Sequence, residues 1–232
     1  MLNTFLLTLF PQSCPLCGCP SSDHRTAPIC PACWQSIIPY DGPSCRRCAK
    51  PLHSEGAHVC GECIRDEPSF TSITVYGLYR GVLKKAINLL KYYSIRRLSV
   101  PLAEILMSIT PPPVDAVLPV PLYGKRLKQR EFNQSALIAR HIAKDIGAAL
   151  ILDCLVKTKD TIPQVGLNSG ERRRNIRNAF TVHSKPEIEG RSVLLIDDVV
   201  TTGATVSECA RVLKKSGAAS VYVLALAHGT ID

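Results

Sequence analysis

The stretch "VLLIDDVVTTGAT", residues 193–205, decides the fold class. Its first four residues are apolar, as in a central parallel strand that is covered on both faces. Two carboxylates, Asp197 and Asp198, follow this run, and "TTGAT" then leads into the helical pattern "VSECARVLKKSG". Because a buried ion is costly unless it is paired, we expect the acidic pair to lie at the carboxyl end of the strand. Ligands of parallel sheets bind at that end, so we expect both aspartates to face a ligand.

The turn that follows the acidic pair has the composition of a phosphate-binding site. Unpaired backbone N–H groups at the start of a helix, together with the helix dipole, favour an anion. Glycine permits close backbone approach, and threonine hydroxyls add hydrogen-bond donors. Two carboxylates beside such a turn suit the vicinal hydroxyls of a ribose 5-phosphate. The predicted phosphate-binding residues are Thr201, Thr202, Gly203, Ala204 and Thr205.

The remainder of residues 69–232 alternates between strand and helix patterns. Strands are predicted at residues 72–78, 115–121, 150–156, 191–199 and 220–227. Helices are predicted at residues 81–93, 100–109, 132–147 and 205–217, with a long polar loop at residues 157–178. Strands separated by helices indicate βαβ units, so we predict an α/β domain built on a parallel sheet. We expect residues 1–68 to form a separate module.

Cysteines dominate that first module. Nine of the eleven lie within residues 14–63, and eight of these form four C-x-x-C pairs with gaps of 12, 11 and 11 residues. Two such pairs complete a tetrahedral zinc site, so we expect structural Zn²⁺, with iron–sulfur or redox chemistry as the alternatives. The predicted ligands are Cys14, Cys17, Cys30, Cys33, Cys45, Cys48, Cys60 and Cys63.

The spacing leaves the pairing of these knuckles open. Sequential sites would join the first two knuckles and the last two, whereas interleaved sites would join the first with the third and the second with the fourth. Cys19, His24, His53 and His58 are spare donors that we expect not to bind metal. The opening "MLNTFLLTLFP" lacks a cationic segment and a cleavage site, so we expect a short helix at residues 2–10, no membrane span and a cytoplasmic location.

Positive charge is concentrated in the second domain. Residues 69–232 carry 23 Lys/Arg against 13 Asp/Glu, or +10, whereas residues 1–68 carry five against six, or −1. Residues 69–103 hold no acidic side chain, and their cations alternate with tyrosines, as in proteins that bind single-stranded nucleic acid. The alternative is a half-buried core surface. The predicted nucleic-acid contacts are Lys84, Lys85, Lys91, Tyr92, Arg96 and Arg97.

These motifs together resemble one known family. The stretch at residues 193–205 is similar to the phosphoribosyl pyrophosphate loop of type I phosphoribosyltransferases. The four C-x-x-C pairs, "LLKYYSIRRL", "PVPLYGKRLKQREFNQ" and "PQVGLNSGERRRNIRNAF" occur in the order seen in the ComF family, ComFC/GntX-like proteins associated with competence. The resemblance covers nearly the whole chain and implies a type I phosphoribosyltransferase-like sheet after a double zinc ribbon.

The resemblance also implies roles for particular residues. Asp197 and Asp198 would hold the ribose hydroxyls, with Mg²⁺ accompanying the ligand. Lys125, Arg126 and Arg130 would lie in the pyrophosphate loop, where a solvated basic loop is the alternative. Arg173 and Arg174 would belong to a lid that closes over pyrophosphate, grips a nucleic-acid backbone or faces water. Glu131 departs from the family, which has glycine there, so we expect altered geometry if the position needs a positive φ.

Two functions are compatible with this resemblance. The first is a phosphoribosyltransferase-like protein that binds phosphoribosyl pyrophosphate with Mg²⁺, binds or transfers the 5-phosphoribosyl group, and takes part in DNA uptake. The second is a non-catalytic adaptor that binds single-stranded DNA in natural transformation, senses a ligand through the same fold, and docks a DNA-uptake protein through its zinc module. The sequence names no acceptor for a transfer reaction, so enzymatic activity stays undecided at this point.

Overall fold

A computed structural model describes residues 12–54, 56–162 and 169–229. The cysteine-rich part contains two short strands, β1 (Gln12–Ser13) and β2 (Pro20–Ser21), and two short helices, α1 (Pro31–Gln35) and α2 (Gly61–Arg65). The helix expected at residues 2–10 lies outside the described residues. No helix in the described part of the chain has the length and apolar character that a bilayer span requires.

The second part alternates strands and helices, as its sequence pattern predicts. Its strands are β3 (Ser72–Leu78), β4 (Ala116–Pro119), β5 (Ala149–Leu150), β6 (Leu155–Lys157), β7 (Phe180–Val182), β8 (Ser192–Val200) and β9 (Ser220–His228). Its helices are α3 (Gly81–Tyr92), α4 (Ser99–Met107) after a 3₁₀ turn (Arg96–Leu98), α5 (Gly124–Arg130), α6 (Gln134–Ile146), α7 (Ser169–Ile176) and α8 (Ala204–Lys215).

Five of these strands form one parallel sheet, which confirms the predicted α/β class. The order is β3-β9-β8-β4-β5, so the strand that carries the acidic pair is central. β8 pairs with β9 on one side and with β4 on the other, both in parallel. The apolar residues at positions 193–196 are buried on both faces of the sheet, as their continuous run predicts.

Three predicted boundaries differ from the structure. The strand expected at 150–156 is two strands, because the chain leaves the sheet after β5 and β6 pairs antiparallel with β7 instead. The polar loop expected at 157–178 contains α7, a largely polar helix on which Arg172 and Ile176, four residues apart, are buried. The basic stretch expected as a loop at 121–130 contains α5.

The cysteine-rich part packs on both faces of this sheet. Cys45, Cys48 and Cys60 join the core formed with α8, while Cys14 and Cys30 join the core formed with α3, α4 and α6. The chain between them runs beside the edge strand β3, where the Tyr40 N–H donates to the Tyr76 carbonyl at 2.8 Å. The Ile73 N–H likewise donates to the Arg47 carbonyl at 2.7 Å. The edge strand is therefore covered rather than open to pairing with another chain. The domain boundary at residue 68 stays a prediction.

Candidate functional site

The eight cysteines of the C-x-x-C pairs gather into two groups. One group comprises Cys14, Cys17, Cys30 and Cys33, and the other Cys45, Cys48, Cys60 and Cys63. Within each group the four sulfur atoms lie within 4.8 Å of one another. This arrangement is the sequential pairing, and the interleaved alternative is not seen. Four thiolates at this separation are the donor set of a closed, tetrahedral structural zinc site, so the residues fit Zn²⁺.

The acidic pair lies within β8, two residues before the strand ends at Val200. Successive side chains of a strand point to opposite faces, so the two carboxylates have different surroundings. Asp198 is buried, and its Oδ1 lies 2.7 Å from Nζ of Lys91 on α3. Its Oδ2 is buried without a hydrogen-bond partner among the described residues. Asp197, by contrast, is partly exposed, so the two aspartates differ in their access to solvent.

Asp197 is held at the crevice by short polar contacts. Its Oδ1 accepts a hydrogen bond from the backbone N–H of Asp198 at 2.9 Å and one from the Ser135 hydroxyl at 3.3 Å. Burial, followed by the negative charge of Asp198, raises the pKa of Asp197 to about 7, although Lys91 acts in the opposite direction. A carboxyl with this pKa changes its charge in the physiological range.

The turn between β8 and α8 has the geometry of a phosphate cradle. Gly203 is the N-cap of α8 with a φ of +72°, a left-handed conformation that favours glycine. The Ala204 N–H lies 3.4 Å from the Thr202 hydroxyl. Val200, Thr201, Gly203 and Thr205 help to line a small opening of about 30 Å³ that also touches Asp197. The structure thus brings the predicted phosphate-binding turn and one aspartate to the same opening.

The arginine of α7 that donates a hydrogen bond to this turn is Arg172, whereas the sequence analysis predicted Arg173 and Arg174. Arg172 is buried, and its Nη1 donates to the Thr201 hydroxyl at 2.6 Å. Arg173 instead pairs with Asp66, next to the second cysteine group. Arg174 is exposed. Of the two arginines predicted to bind phosphoribosyl pyrophosphate, Arg173 lines a cleft together with Thr202 and Gly203 of the turn, while their neighbour Arg172 donates a hydrogen bond to the turn itself.

The basic residues of α5 line a different part of the crevice. Lys125 and Arg126 border a cavity of about 320 Å³, and Arg126 donates to the Thr161 carbonyl at 3.3 Å. Lys157 donates to the Thr161 hydroxyl at 2.7 Å, and burial followed by the charge of Arg126 lowers its pKa. Lys157 of β6 and Arg126 of α5 therefore both contact Thr161, beside this cavity.

Arg130 and Glu131 lie apart from that cavity. The Arg130 guanidinium lies 5.1 Å from the centre of the Tyr92 ring, and its Nη1 donates to Gln134 at 3.2 Å. Glu131 has a φ of +63°, so the position that the family fills with glycine does require a left-handed conformation. Its carboxylate pairs with Arg96 at 2.9 Å on the surface. The departure from glycine therefore changes the side chain and leaves the left-handed turn in place.

The residues predicted to bind nucleic acid fall into two groups. Lys84 is exposed and lies 5.6 Å from the centre of the Tyr79 ring, and Tyr92 is 63% exposed. Arg96 stacks 4.8 Å from the Phe132 ring centre, Arg97 donates to the Ala27 carbonyl at 2.7 Å, and Lys85 is partly exposed. Lys91 differs from all of these, because its side chain is 14% exposed and faces Asp198. The structure places Lys91 with the acidic pair rather than on the exposed face.

Four residues near the site were not assigned to it from the sequence: Lys91, Ser135, Lys157 and Arg172. Lys91 and Arg172 were visible only as members of basic stretches, and their burial depends on tertiary packing. Each is nevertheless placed on the inner face of its helix by spacing: Lys91 follows the buried Ile87 by four residues, and Arg172 precedes the buried Ile176 by four.

Comparison with known proteins agrees with this architecture. The family model of the double zinc ribbon domain matches residues 5–64, and that of the phosphoribosyl transferase domain matches residues 94–230. Adenine phosphoribosyltransferase from Thermoanaerobacter pseudethanolicus is 15% identical, with a TM-score of 0.40 over 59% of this chain and 72% of that one. The two family models thus define a phosphoribosyltransferase-type domain preceded by a double zinc ribbon.

The sequence similarity to two curated relatives extends over nearly the whole length of each protein. The chain is 31% identical over 211 residues to competence protein F of Haemophilus influenzae, covering 86% of this chain and 90% of that protein. It is 30% identical over 224 residues to DNA utilization protein YhgH of Salmonella typhi, covering 93% and 96%. The chain belongs to the ComF family, as its motifs indicate.

Proposed function

We propose that the chain binds phosphoribosyl pyrophosphate together with Mg²⁺ at the carboxyl ends of β8 and β4, and that it binds or transfers the 5-phosphoribosyl group. The observation that carries this proposal is the β8–turn–α8 unit. In it, a left-handed Gly203 opens the helix, and Asp197 lies at the same small opening. A phosphate on the turn and a sugar hydroxyl on Asp197 are the two ends of a ribose 5-phosphate.

The surrounding groups suit the rest of that ligand. Backbone N–H groups of residues 201–205, assisted by the Arg172 guanidinium, would hold the 5-phosphate. Lys125, Arg126 and Lys157 would face the pyrophosphate from α5 and β6. Mg²⁺, when bound, would neutralise part of the charge that develops on the leaving pyrophosphate. In a transfer reaction the bond from ribose C1 to the pyrophosphate oxygen breaks, a bond to the acceptor forms, and the protein stabilises charge rather than forming bonds itself.

The test is calorimetric titration of phosphoribosyl pyrophosphate with Mg²⁺ into zinc-replete protein. Asp197→Asn removes the carboxylate at the opening and is expected to weaken binding by at least about tenfold, the value of a hydrogen bond to a charged group. Asp145→Asn, on the exposed side of α6, is the matched control and should bind as the wild type does. No heat of binding by the wild type would contradict the proposal. Pyrophosphate release with bases as acceptors then separates transfer from binding.

A second function, binding of single-stranded DNA in DNA uptake, is supported by a different observation. Tyr92 and Tyr93 are exposed, the Arg130 guanidinium lies over the Tyr92 ring, and Lys84 and Arg96 lie over the Tyr79 and Phe132 rings. Aromatic platforms with adjacent cations bind single strands through stacking and phosphate contacts. The names of two relatives, competence protein F and DNA utilization protein YhgH, agree with this role. A protein partner in DNA uptake would then dock elsewhere, for instance on the zinc module.

This second function is tested by fluorescence anisotropy with a labelled oligonucleotide over a range of salt concentrations. Replacing both Lys84 and Lys85 by Gln is expected to reduce affinity. It should also reduce the slope of log K against the logarithm of salt concentration by about 1.4 in magnitude, because each phosphate contact on a single strand contributes about 0.7 to that slope. Lys144→Gln, an exposed lysine on α6, is the control. An unchanged slope in the double variant would remove this face from consideration.

A further inference from the structure

The ion pair between Lys91 and Asp198 adjoins Asp197, the aspartate that lines the small opening at the turn. Lys91 belongs to the last turn of α3 and Asp198 to the final part of β8, and their charged atoms are 2.7 Å apart. The side chains are only 14% and 4% exposed. Burying two charges costs several kcal/mol of desolvation per ion, which their attraction only partly offsets. An apolar pair would fill the same space at lower cost, so the ion pair calls for a role besides stability.

That role follows from the neighbouring Asp197. Without a cation, the two adjacent carboxylates would present a charge of −2 at the place where a phosphorylated ligand must approach. With Lys91 the three groups carry −1. Burial alone would lower the pKa of Lys91, but the charge of Asp198 and the hydrogen bond to it outweigh burial and raise that pKa. Lys91 therefore stays a cation throughout the physiological range.

We propose that Lys91 is a positioning residue of the sugar-phosphate site: it fixes the Asp198 carboxylate and offsets its charge, so that Asp197 can accept a hydroxyl from a polyanionic ligand. This inference rests on the proposed function and assigns Lys91 to the phosphoribosyl site rather than to a DNA surface. Positioning occurs through the backbone as well, because the Asp198 N–H donates to the Asp197 carboxylate at 2.9 Å. A displaced Asp198 would carry this N–H away from Asp197.

The other titratable groups around the pair come from every packed element. Tyr79 precedes α3, and its hydroxyl donates to Asn88 at 2.6 Å, while its pKa is raised by burial. Tyr92 follows Lys91 on α3 and acts on its charge. The charge of Asp197 acts on Lys157 of β6 and on Cys209 of α8. A pH dependence that involves the acidic pair must therefore be compared between variants that differ only at Lys91 and Asp198.

The test compares Lys91→Met with Lys144→Met, which makes the same chemical change on an exposed position of α6. Affinity for phosphoribosyl pyrophosphate is measured calorimetrically at saturating Mg²⁺, at pH 8 and at pH 6. Lys91→Met is expected to lose at least about tenfold in affinity at pH 8. The loss should be smaller at pH 6, because a proton on the acidic pair then replaces the missing cation. Lys144→Met should match the wild type at both values.

A double variant separates charge compensation from a merely structural role. Lys91→Met combined with Asp198→Asn removes both charges, and exchanging both members of a buried pair for neutral groups is often neutral for stability. We expect it to bind more tightly than Lys91→Met alone. Equal affinity of Lys91→Met and the wild type, a loss that does not vary with pH, or a double variant no better than the single one would each overturn the inference. No binding by the wild type would instead overturn the proposed function.

Discussion

The Nη1 atom of Arg172 lies 2.6 Å from the hydroxyl oxygen of Thr201, so a buried arginine of α7 contacts the turn between β8 and α8. The adjacent Arg173 pairs with Asp66, beside the second cysteine group. Arg173 and Asp66 also line a cleft of about 520 Å³ that reaches Thr202 and Gly203 of the turn. The helix α7 connects the zinc-ribbon part with the turn.

The first prediction concerns this arginine. Arg172→Met is expected to weaken binding of phosphoribosyl pyrophosphate by about tenfold or more, because a buried guanidinium near the turn no longer contributes a charge-assisted hydrogen bond. Arg174→Met alters an exposed arginine two residues away. Its effect on the logarithm of the dissociation constant is expected to be less than half that of Arg172→Met. The measurement is calorimetric titration at one fixed Mg²⁺ concentration. A larger loss for Arg174→Met would reverse the assignment.

The second prediction concerns zinc content. Elemental analysis is expected to find two zinc ions per chain, one for each cysteine group. In the sequential pairing, Cys14 and Cys30 belong to one site, so the variant with both replaced by serine should lose one ion. An interleaved pairing would lose both. Cys19→Ser, outside the two groups, should retain both ions and serves as the control.

Removal of zinc is also expected to lower thermal stability, because Cys45 and Cys60 pack in one core with Phe70 and Ile73 of the sheet domain. Ligand binding to the folded state is part of its folding free energy. A strong chelator should therefore lower the melting temperature of the whole chain, not only that of its first part. A melting curve that does not shift with the chelator would contradict a structural role for the metal.

The fold could be predicted from the sequence where burial and periodicity agree. The apolar run at 193–196 places β8 in the centre of the sheet, and the helices α3, α6 and α8 have alternating buried and exposed faces. The helices α5 and α7 are largely polar, so periodicity could not indicate them. Their stability comes from tertiary contacts such as Arg172 with Thr201, which no local pattern contains.

The candidate site was predictable only in part, for a related reason. The turn at residues 201–205 is one continuous segment, and its composition alone indicates phosphate. The partner of Asp198 is 107 residues away in the chain, and a lysine within a run of cations and tyrosines has the same local pattern whether it is buried or solvated. Both aspartates lie inside β8, because the strand extends to Val200. Their side chains therefore point to opposite faces of the sheet, and this could not be predicted without knowing where the strand ends.

The third prediction is a pH dependence of stability that Asp197 confers. Its pKa rises from an ordinary carboxyl value to about 7 on folding, so the folded state binds the proton more tightly than the unfolded state does. The resulting stability is present at low pH and is lost as pH rises from about 4 to 7. Relative to Asp197→Asn, the wild type should lose about 2 to 3 kcal/mol of unfolding free energy between pH 5 and pH 8.

Urea unfolding of both proteins at the two pH values measures this difference. The comparison is needed because His228 changes stability with pH in the opposite direction. Burial lowers the pKa of His228 to about 4, so its contribution to the free energy of unfolding is lost as pH falls below 6.5. His228 is present in both proteins, and its effect therefore cancels. A wild type that gains stability relative to Asp197→Asn on going from pH 5 to pH 8 would show that the Asp197 carboxyl has a lowered pKa instead.

The fourth prediction separates backbone strain from steric conflict at the phosphate turn. A Cβ atom on Gly203 would meet Phe70 and Ile73 at 3.6 Å, an ordinary contact, so Gly203→Ala is opposed mainly by its φ of +72° and should cost about 1 to 2 kcal/mol of stability. A Cβ atom on Gly229 would lie 2.8 Å from Cγ2 of Thr201, so Gly229→Ala must displace the Thr201 side chain. Replacing Thr201 by Ser removes that methyl group and should relieve Gly229→Ala but not Gly203→Ala. Urea unfolding of the two single and two double variants measures this, and equal relief of both glycine variants would show that the two positions are limited by the same contact.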